Sequence, residues 1–385
     1  MQETFLKEST ALAVANTELR SDLKDGDTLH KPYGSYPRVQ TYTKGTDITV
    51  KDISATDDTL TVATAKVASF YVDDIDRVQN KWATANEFAA MAQRQLNNVL
   101  DQAVLAEYSN AGFTADDGDI GGTSGNGIVL STSNVADVFL VSGRTLNGKK
   151  RLSQDRFALV GPRVLEKIQN YVGARETGFG ESVSDNGKVG RRFGFDLILS
   201  NNLPWSASLE LATQPTDGDT VVIHGVTLTF KTALTGTATL GEVLIGANAA
   251  AARVNLVKAV NDAGTVDTHY SALSAENRQL LEESDIVATD DIAGTQVDFV
   301  GYGDIVVSET LIAAADVWSA QLQYSLMGVR GSIDLVTQVA PNVLFRDAQL
   351  RLGKYVHPWM LFGKKTFTRM QDNLVAVKFD VSAWV

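Results

Sequence analysis

The chain has 385 residues, of which 44% are hydrophobic and 21% charged, a composition typical of a globular protein. It contains no cysteine, which excludes disulfide scaffolds, cysteine-based zinc modules and thiol chemistry. No stretch approaches the roughly 20 apolar residues that cross a bilayer, and the first residues lack the pattern of a signal peptide. We therefore expect two or three domains of a soluble protein that is made in a reducing compartment and contacts no membrane.

The net charge of −12 is concentrated in one part of the sequence. Residues 206–317 hold 16 Asp and Glu against 4 Lys and Arg, whereas the rest of the chain holds 30 of each class. A composition step of this size indicates a domain boundary. We predict that residues 206–317 form an acidic domain set into a neutral frame.

The N-terminal part of the frame predicts an arm followed by a hairpin. Residues 1–36 are polar and weakly periodic, which is typical of an arm that packs on another surface. From Val39 to Val72 apolar and polar residues alternate, and Ile48 and Val50 would share one face of a strand. Such a ribbon buries little apolar surface by itself and needs a partner surface.

The clearest helix begins at Thr84, where Thr84 and Glu87 form a T-x-x-E capping box. Apolar residues then recur at three- and four-residue spacing up to Gly112, a length of about 26 residues or roughly 39 Å. The following segments predict a helix over 133–146, a strand at 157–160, a helix over 164–172 and a strand over 195–199.

The acidic block predicts a mixed α+β unit of its own. Its turn at Asp217-Gly218-Asp219 opens a hairpin, and the other predicted elements are helices over 247–261 and 274–283 and strands near 297–299 and 305–307. After Trp318, residues 322–339 are predicted to be helical or mixed. The C-terminus is a strand with Val375, Val377, Phe379 and Val381 on one face.

Catalytic motifs fail on spacing or context. Gly143–Lys149 matches G-x-x-x-x-G-K, but Lys150 follows where a P-loop needs Ser or Thr, and the preceding residues have helical spacing. The four histidines are scattered, and the loop at 116–119 lacks the terminal Glu of a calcium loop. We predict no enzyme, no cofactor and no metal site, and the near-miss P-loop leaves a nucleotide-using enzyme as an alternative.

Two basic clusters stand out in the frame. They are Lys149-Lys150-Arg151, and Lys188 together with Arg191 and Arg192. A solvated or intersubunit surface is the favoured interpretation, and contact with a polyanion is the alternative.

Taken in order, these parts resemble the HK97-fold major capsid proteins of tailed bacteriophages. The resemblance covers roughly residues 1–205 and 318–385. Four stretches carry it: Asp25-Gly26-Asp27-Thr28; Phe70–Asp76 before the long helix; Gly187–Phe195 with Ser200–Pro204; and Leu361–Lys365.

The resemblance implies an α+β, HK97-like capsid fold with a small α+β insertion domain. Its implied parts are an N-terminal arm (1–38), an extended hairpin or E-loop (39–72), a P-domain with the long spine helix (73–118 and 345–385), an A-domain (119–205 and 318–344) and the acidic insertion (206–317).

The resemblance also implies a function and partners. The chain would be a major capsid protein that assembles in the host cytoplasm into hexamers and pentamers of an icosahedral virion shell around double-stranded DNA. A scaffolding protein, a portal and an outer decoration protein are implied partners. Lys44 and Lys51 are candidates for intersubunit contact by position in the hairpin, and Lys188, Arg191 and Arg192 by charge.

Two further expectations complete the sequence-based picture. Since DNA is a dense polyanion, an acidic insertion that faced it would be repelled, so we expect residues 206–317 on the outer face of the shell. The alternatives to a viral capsid protein are an encapsulin-like nanocompartment shell in the same fold and a phage tail tube or sheath subunit.

Overall fold

A computed structural model describes most of the chain. The described residues are 10–21, 26–37, 39–50, 52, 54–74, 84–175, 190–236, 239–291, 294–313, 315–347 and 352–382. They form two compact units, each assembled from separate stretches of sequence. The smaller unit comprises Val14–Asn97 and Gly331–Gln371, and the larger unit comprises Met1–Ala13, Asn98–Arg330 and Asp372–Val385.

Strands outnumber helices in the described part of the chain. In chain order the strands there are β1 (Thr28–His30), β2 (Tyr33–Gly34), β3 (Ala55–Thr56), β4 (Thr59–Thr61), β5 (Thr64–Val67), β6 (Phe70–Asp73), β7 (Phe113–Ala115), β8 (Arg156–Val160), β9 (Arg191–Arg192), β10 (Phe195–Leu199), β11 (Pro204–Glu210), β12 (Thr220–Ile223), β13 (Val226–Lys231), β14 (Glu242–Leu244), β15 (Val287–Asp290), β16 (Gln296–Tyr302), β17 (Val307–Glu309), β18 (Leu322–Val329), β19 (Asp334–Asp347), β20 (Gly353–Lys365) and β21 (Leu374–Asp380). The α-helices there are α1 (Ala11–Val14), α2 (Thr84–Leu105), α3 (Val135–Gly148), α4 (Pro162–Arg175), α5 (Ala249–Asn261) and α6 (Ala275–Glu283).

The smaller unit is built around a four-stranded antiparallel sheet. β20 pairs with β19 on one side and with β5 and β6 on the other. Because side chains alternate along a strand, β20 buries Val356, Met360 and Phe362 on one face and turns Tyr355 and Trp359 to the other. One face therefore carries core residues, and the opposite face carries partly exposed aromatic side chains.

A hairpin precedes this sheet in the smaller unit. β1 pairs with β4 and β2 with β3, so residues 28–34 lie antiparallel to 55–61. We call these paired strands the hairpin root and residues 35–54 the hairpin tip. The predicted strand at Ile48 and Val50 is wrong, because the described residues 39–50 contain no strand. Extended backbone becomes a strand only beside a neighbour that shares its hydrogen bonds, and alternation in the sequence does not supply one.

The larger unit contains a nine-stranded mixed sheet. Its strand order is β15-β16-β11-β18-β8-β10-β9, with β21 paired to β18 and β7 to β21. All five residues of β8 are buried, which is typical of a central strand covered on both faces. Residues of α3 and α4 join the same apolar core, among them Val138, Phe139, Ile168 and Val172.

The acidic block holds a second, four-stranded sheet in the order β14-β13-β12-β17, together with α5 and α6. Strands β15 and β16 of the block, however, belong to the larger sheet. They join it because β16 pairs with β11 and β11 pairs with β18. One continuous apolar cluster contains Phe195 and Trp205 as well as Phe230 and Val243. Sheet and core thus run through the predicted boundary at 206, and the division into domains stays a prediction.

A side chain closes the outer edge of β15, which is the end strand of the nine-stranded sheet. Ala288 donates its N–H to Oδ1 of Asn261 (2.9 Å), and its carbonyl accepts from Nδ2 of Asn261 (2.7 Å). Asn261 is the last residue of α5. Its carboxamide therefore occupies the place of a neighbouring strand at this position.

Most of the predicted helices and strands are confirmed. The helices and strands predicted between residues 133 and 199 appear as α3, β8, α4 and β10, and α5 and α6 follow the N-cap residues Asn248 and Ser274. The helical interpretation of residues 322–339 is wrong, because they form β18 and the start of β19. The side chains of the predicted capping box at Thr84 and Glu87 lie outside the described part of the structure.

Candidate functional site

Asp58 anchors the hairpin root in the smaller unit. This buried residue, 9% exposed, lies in the turn between β3 and β4. Its carboxylate accepts hydrogen bonds from Nζ of Lys365 and from both the N–H and the hydroxyl of Thr368, the latter two at 2.9 Å. Burial by itself would raise the pKa of Asp58, but these hydrogen bonds outweigh it and hold the pKa below its usual value.

Cations secure the first strands of the root. Arg369 donates to the carbonyl of Gly34, and its guanidinium lies 5.4 Å from the ring centre of Tyr33 and 4.9 Å from that of Tyr36. Nζ of Lys31 lies 3.1 Å from Oδ2 of Asp334. Stacking of a guanidinium on aromatic rings adds to the ion pair in holding a strand in place, so the root and the adjoining start of the tip at Tyr36 are anchored.

The hairpin tip, in contrast, exposes its apolar side chains. Val39 is 95% exposed and Val50 86%, and the tip also exposes Tyr36, Tyr42 and Ile48. Within the tip, the side-chain amide of Gln40 donates a hydrogen bond to the carbonyl of Thr49. The hydroxyl of Thr46 donates to the carbonyl of Thr43. Apolar side chains exposed along one segment make the tip a candidate protein–protein contact surface.

The open face of the β19-β20 sheet is a second exposed apolar surface in the smaller unit. Leu344 lies across from His357, and Trp359 lies across from Val67 on β5. Tyr355 and Tyr71 lie opposite each other with ring centres 5.3 Å apart. Val67, Leu344 and Tyr355 are exposed, so this face offers apolar surface to a partner.

The predicted contact residues do not form one site. Lys44 is exposed in the hairpin tip, and Lys51 and Lys188 lie outside the described residues. Arg191 and Arg192 form β9 in the larger unit, where Nε of Arg191 lies 3.9 Å from Oδ1 of Asp196. Both arginines remain contact candidates, and nothing in their geometry selects a polyanion over a protein partner.

The near-miss P-loop has a structural role in the larger unit. Residues 143–148 are helical, as the spacing indicated, so their backbone N–H groups cannot cradle phosphates. Lys149 donates to the carbonyl of Gly112 (2.9 Å) and pairs with Asp372 at 2.5 Å, while Arg151 pairs with the same carboxylate at 3.2 Å. The hydrogen bond from Lys149 lowers the pKa of Asp372.

Other chemical groups of the described residues do not converge on a reactive site. No three His, Asp or Glu side chains there are placed to hold a metal ion. Tyr108 stacks on Tyr324 with ring centres 4.4 Å apart, and burial raises the pKa of Tyr108 to about 12, so its hydroxyl stays protonated near neutral pH. No helix in the described ranges is long and apolar enough to span a membrane.

Two solved structures resemble this chain over nearly its whole length. A chain in the structure titled "Mycobacterium phage Che8" is 12% identical, with a TM-score of 0.58 and 98% of this chain and 93% of that chain covered. A chain in "Capsid structure of the Cyanophage P-SCSP1u" is also 12% identical, with a TM-score of 0.54 and 98% and 90% covered. The chain has the fold of phage capsid proteins.

The α+β capsid fold that the resemblance implied is thus confirmed. No protein-family model and no curated protein matches the sequence. The capsid fold persists here at 12% identity, because a fold depends on the pattern of buried positions more than on the residues that fill them.

Two features of the capsid fold escaped the sequence analysis. The anchoring role of Asp58 was hidden because an Asp-Asp pair in a polar stretch indicates only a turn, and its partner Lys365 lies 307 positions away. The alternation from Val39 onward predicts a strand, although Val39 and Tyr42 among polar residues are also a signal of exposed contact residues.

Proposed function

We propose that the chain is a major capsid protein that self-assembles into hexamers and pentamers of an icosahedral shell enclosing double-stranded DNA. The fold shared with a chain of a cyanophage capsid structure supports this function. Its role is structural and not enzymatic, and its function uses no cofactor. Its place is the virion capsid, and assembly occurs in the host cytoplasm.

The observation that carries the proposal is the contrast between the hairpin root and the hairpin tip. The root is held by Asp58 and Arg369, whereas the tip exposes Val39 and Val50 almost completely. Burying an exposed Val contributes about 1.5 kcal/mol or more. A partner that covers the tip would therefore gain binding energy, and in a shell each copy of the chain would supply that partner to its neighbour.

The acidic block fits a place on the outer face of the shell. Several of its carboxylates cap backbone N–H groups, as Asp316 does for Ala212 and Thr213 and Asp219 for Thr216. The net charge of the block nevertheless stays at −12, which DNA would repel. A shell structure with residues 206–317 lining the lumen would contradict this placement.

Further partners follow from assembly around DNA. A scaffolding protein and a portal would act during assembly, a decoration protein would bind the outer face, and DNA contacts would be non-specific. These partners are proposals that rest on the capsid function.

Electron microscopy of the purified protein, alone and from producing cells, tests the function. Closed isometric shells that protect DNA from nuclease are expected. Closed shells that enclose a cargo protein without DNA would favour the nanocompartment, and helical filaments would favour a tail tube or sheath. If the native source contained no shells, the proposed function would be wrong.

A further inference from the structure

A concavity of about 410 Å³ opens beside α3 in the larger unit. Asp119, Asp137 and Arg144 contribute its charged groups, and Ile120 and Leu140 contribute apolar surface. Leu140 is 59% exposed although it is apolar. Oδ2 of Asp119 already accepts a hydrogen bond from the N–H of Asp116. Along the helix the concavity thus presents an acid at Asp137, an apolar side chain at Leu140 and a base at Arg144.

The loop after the same helix carries the opposite order. This α3–β8 loop, residues 149–155, exposes a base at Lys150, an apolar side chain at Leu152 and an acid at Asp155. Leu152 is 71% exposed. The flanking cations Lys149 and Arg151 both pair with Asp372. Lys150 is the third cation of this basic cluster and takes no part in those two ion pairs.

The backbone of Lys150 is unusual for its residue type. Its N–H donates to the carbonyl of Asn147 (2.9 Å), and the N–H of Arg151 donates to that of Leu146 (3.0 Å). These two bonds form a Schellman motif, in which the position of Lys150 is left-handed and strongly favours glycine. Lys150 has φ of 57° there. An observed backbone outlier of this kind motivates a hypothesis of function for the side chain.

Lys150 cannot reach Asp137 within one chain. The helical segment from Asp137 to Gly148 alone is about 17 Å long, which is more than an aspartate and a lysine side chain can bridge. A second copy of the chain, however, offers this concavity a loop whose charges run in the opposite order.

We propose that the α3–β8 loop of one copy docks into the α3 concavity of the next copy in a capsomer. Lys150 pairs with Asp137, Leu152 packs on Leu140 and Asp155 pairs with Arg144. Because the two surfaces differ, the contact is heterologous, and a heterologous contact repeated head to tail builds a ring when the rotation between copies closes. This inference rests on the proposed capsid function and names a contact that would build its rings.

A charge swap tests the contact in the full chain, expressed with its native assembly partners. Lys150→Glu and Asp137→Lys each place like charges together and are expected to lower the yield of shells about tenfold or more. The double variant restores opposite charges and is expected to return the yield to near the unmodified level. Glu166→Lys, an exposed charge reversal on α4, is the control and is expected to assemble normally.

The outcomes separate this inference from the capsid function. A double variant no better than either single variant, or single variants that assemble normally, would overturn the contact. Absence of shells from the unmodified chain would instead overturn the capsid function.

A second variant tests the contact without reversing a charge. Lys150→Gly relieves the left-handed backbone, so it is expected to raise the melting temperature of unassembled subunits. It is also expected to lower the yield of shells, because it removes one half of the ion pair. A shell yield that rises together with the melting temperature would overturn the proposal, because Lys150 would then act only within its own subunit.

Discussion

The carboxylate of Asp58 accepts three hydrogen bonds at the hairpin root, one from Lys365 and two from Thr368. Its pKa is lower in the folded chain than the ordinary value of 3.8. The folded state therefore binds this proton less readily than the unfolded state does. The stabilisation is fully present above the unfolded pKa and is lost as the pH falls through the folded pKa.

Asp58→Asn should destabilise the smaller unit. The amide keeps the size of the side chain but removes the negative charge that Lys365 requires, so we expect the free energy of unfolding to fall by about 1–3 kcal/mol at pH 7. Urea unfolding of unassembled subunits measures this change. Asp52→Asn, an exposed position in the tip, is the control and should change stability by less than about 0.5 kcal/mol. Equal effects of the two variants, or a difference that does not shrink as the pH falls below 3.8, would contradict the role of Asp58.

Lys149→Met separates a structural lysine from a nucleotide-binding one. Because Lys149 pairs with Asp372 on a partly exposed surface, its loss should cost about 0.5 kcal/mol of unfolding free energy. Calorimetric titration should detect no ATP binding by either protein. Binding by the unmodified chain that the variant loses would revive the enzyme alternative.

At the scale of elements, Asn261 links the end of a helix to the edge of a sheet. Its carboxamide bonds both backbone groups of Ala288 on the end strand β15. An open strand edge is a template for pairing with another chain, and natural proteins usually protect it. A protein present in many copies at high local concentration needs that protection most.

Asn261→Ala should therefore open the edge of β15. We expect the free energy of unfolding to fall by about 1–2 kcal/mol and the subunits to associate in a concentration-dependent way, which sedimentation velocity detects. Asn248→Ala removes the N-cap of the same helix, where the side chain accepts from the N–H of Ala251, at a similar cost of about 1 kcal/mol. If that control associates equally, loss of stability and not the open edge would be the cause.

Elements with local signals were predictable, and elements that depend on distant partners were not. Asn248 and Ser274 cap α5 and α6 just before their first residues, so short-range chemistry sets those helix starts. β18 does alternate at its start, where Gln323 and Ser325 separate Leu322, Tyr324 and Leu326. Its strand state, however, depends on pairing with β11, β8 and β21, which lie far away in the sequence. Residues 39–50 show the reverse case, in which alternation exists without a neighbouring strand.

At the scale of the whole molecule, the hairpin tip should matter for assembly and not for folding. Val39→Ser with Val50→Ser removes two side chains that are almost fully exposed in the single chain. We expect no change in the melting temperature of unassembled subunits. We expect at least about a tenfold loss of shell yield, since each buried Val contributes about 1.5 kcal/mol or more.

Thr41→Ser, an exposed polar change in the same tip, is the matched control for this double variant. Shells should form normally from it. Normal assembly of the Val39 and Val50 double variant would show that the tip is not covered in the shell, and the main support for the proposed function would be lost.

The order of parts along the chain was enough to predict a capsid fold, but the contact surfaces were not predictable. The order of helices and strands along the chain follows from the pattern of buried positions, and a fold preserves that pattern. Contacts such as Lys150 with Asp137 depend on exposure, backbone conformation and a second copy of the chain, and the sequence of one chain displays none of these directly. The basic cluster at 149–151 shows why sequence alone does not identify contact residues. Two of its cations, Lys149 and Arg151, pair with Asp372 in the same chain, and Lys150 is exposed.

Among the described residues of the hairpin tip, the side-chain hydrogen bonds within the tip are those of Gln40 and Thr46, and this has a kinetic consequence. Fixing its backbone against a neighbour costs about 1–2 kcal/mol per residue, so the net gain from one docked tip is much smaller than its buried area suggests. A subunit that joins a growing shell in the wrong orientation gains even less and dissociates before its neighbours enclose it. Under the proposed function, the bare tip would allow assembly errors to be corrected while the shell is still open.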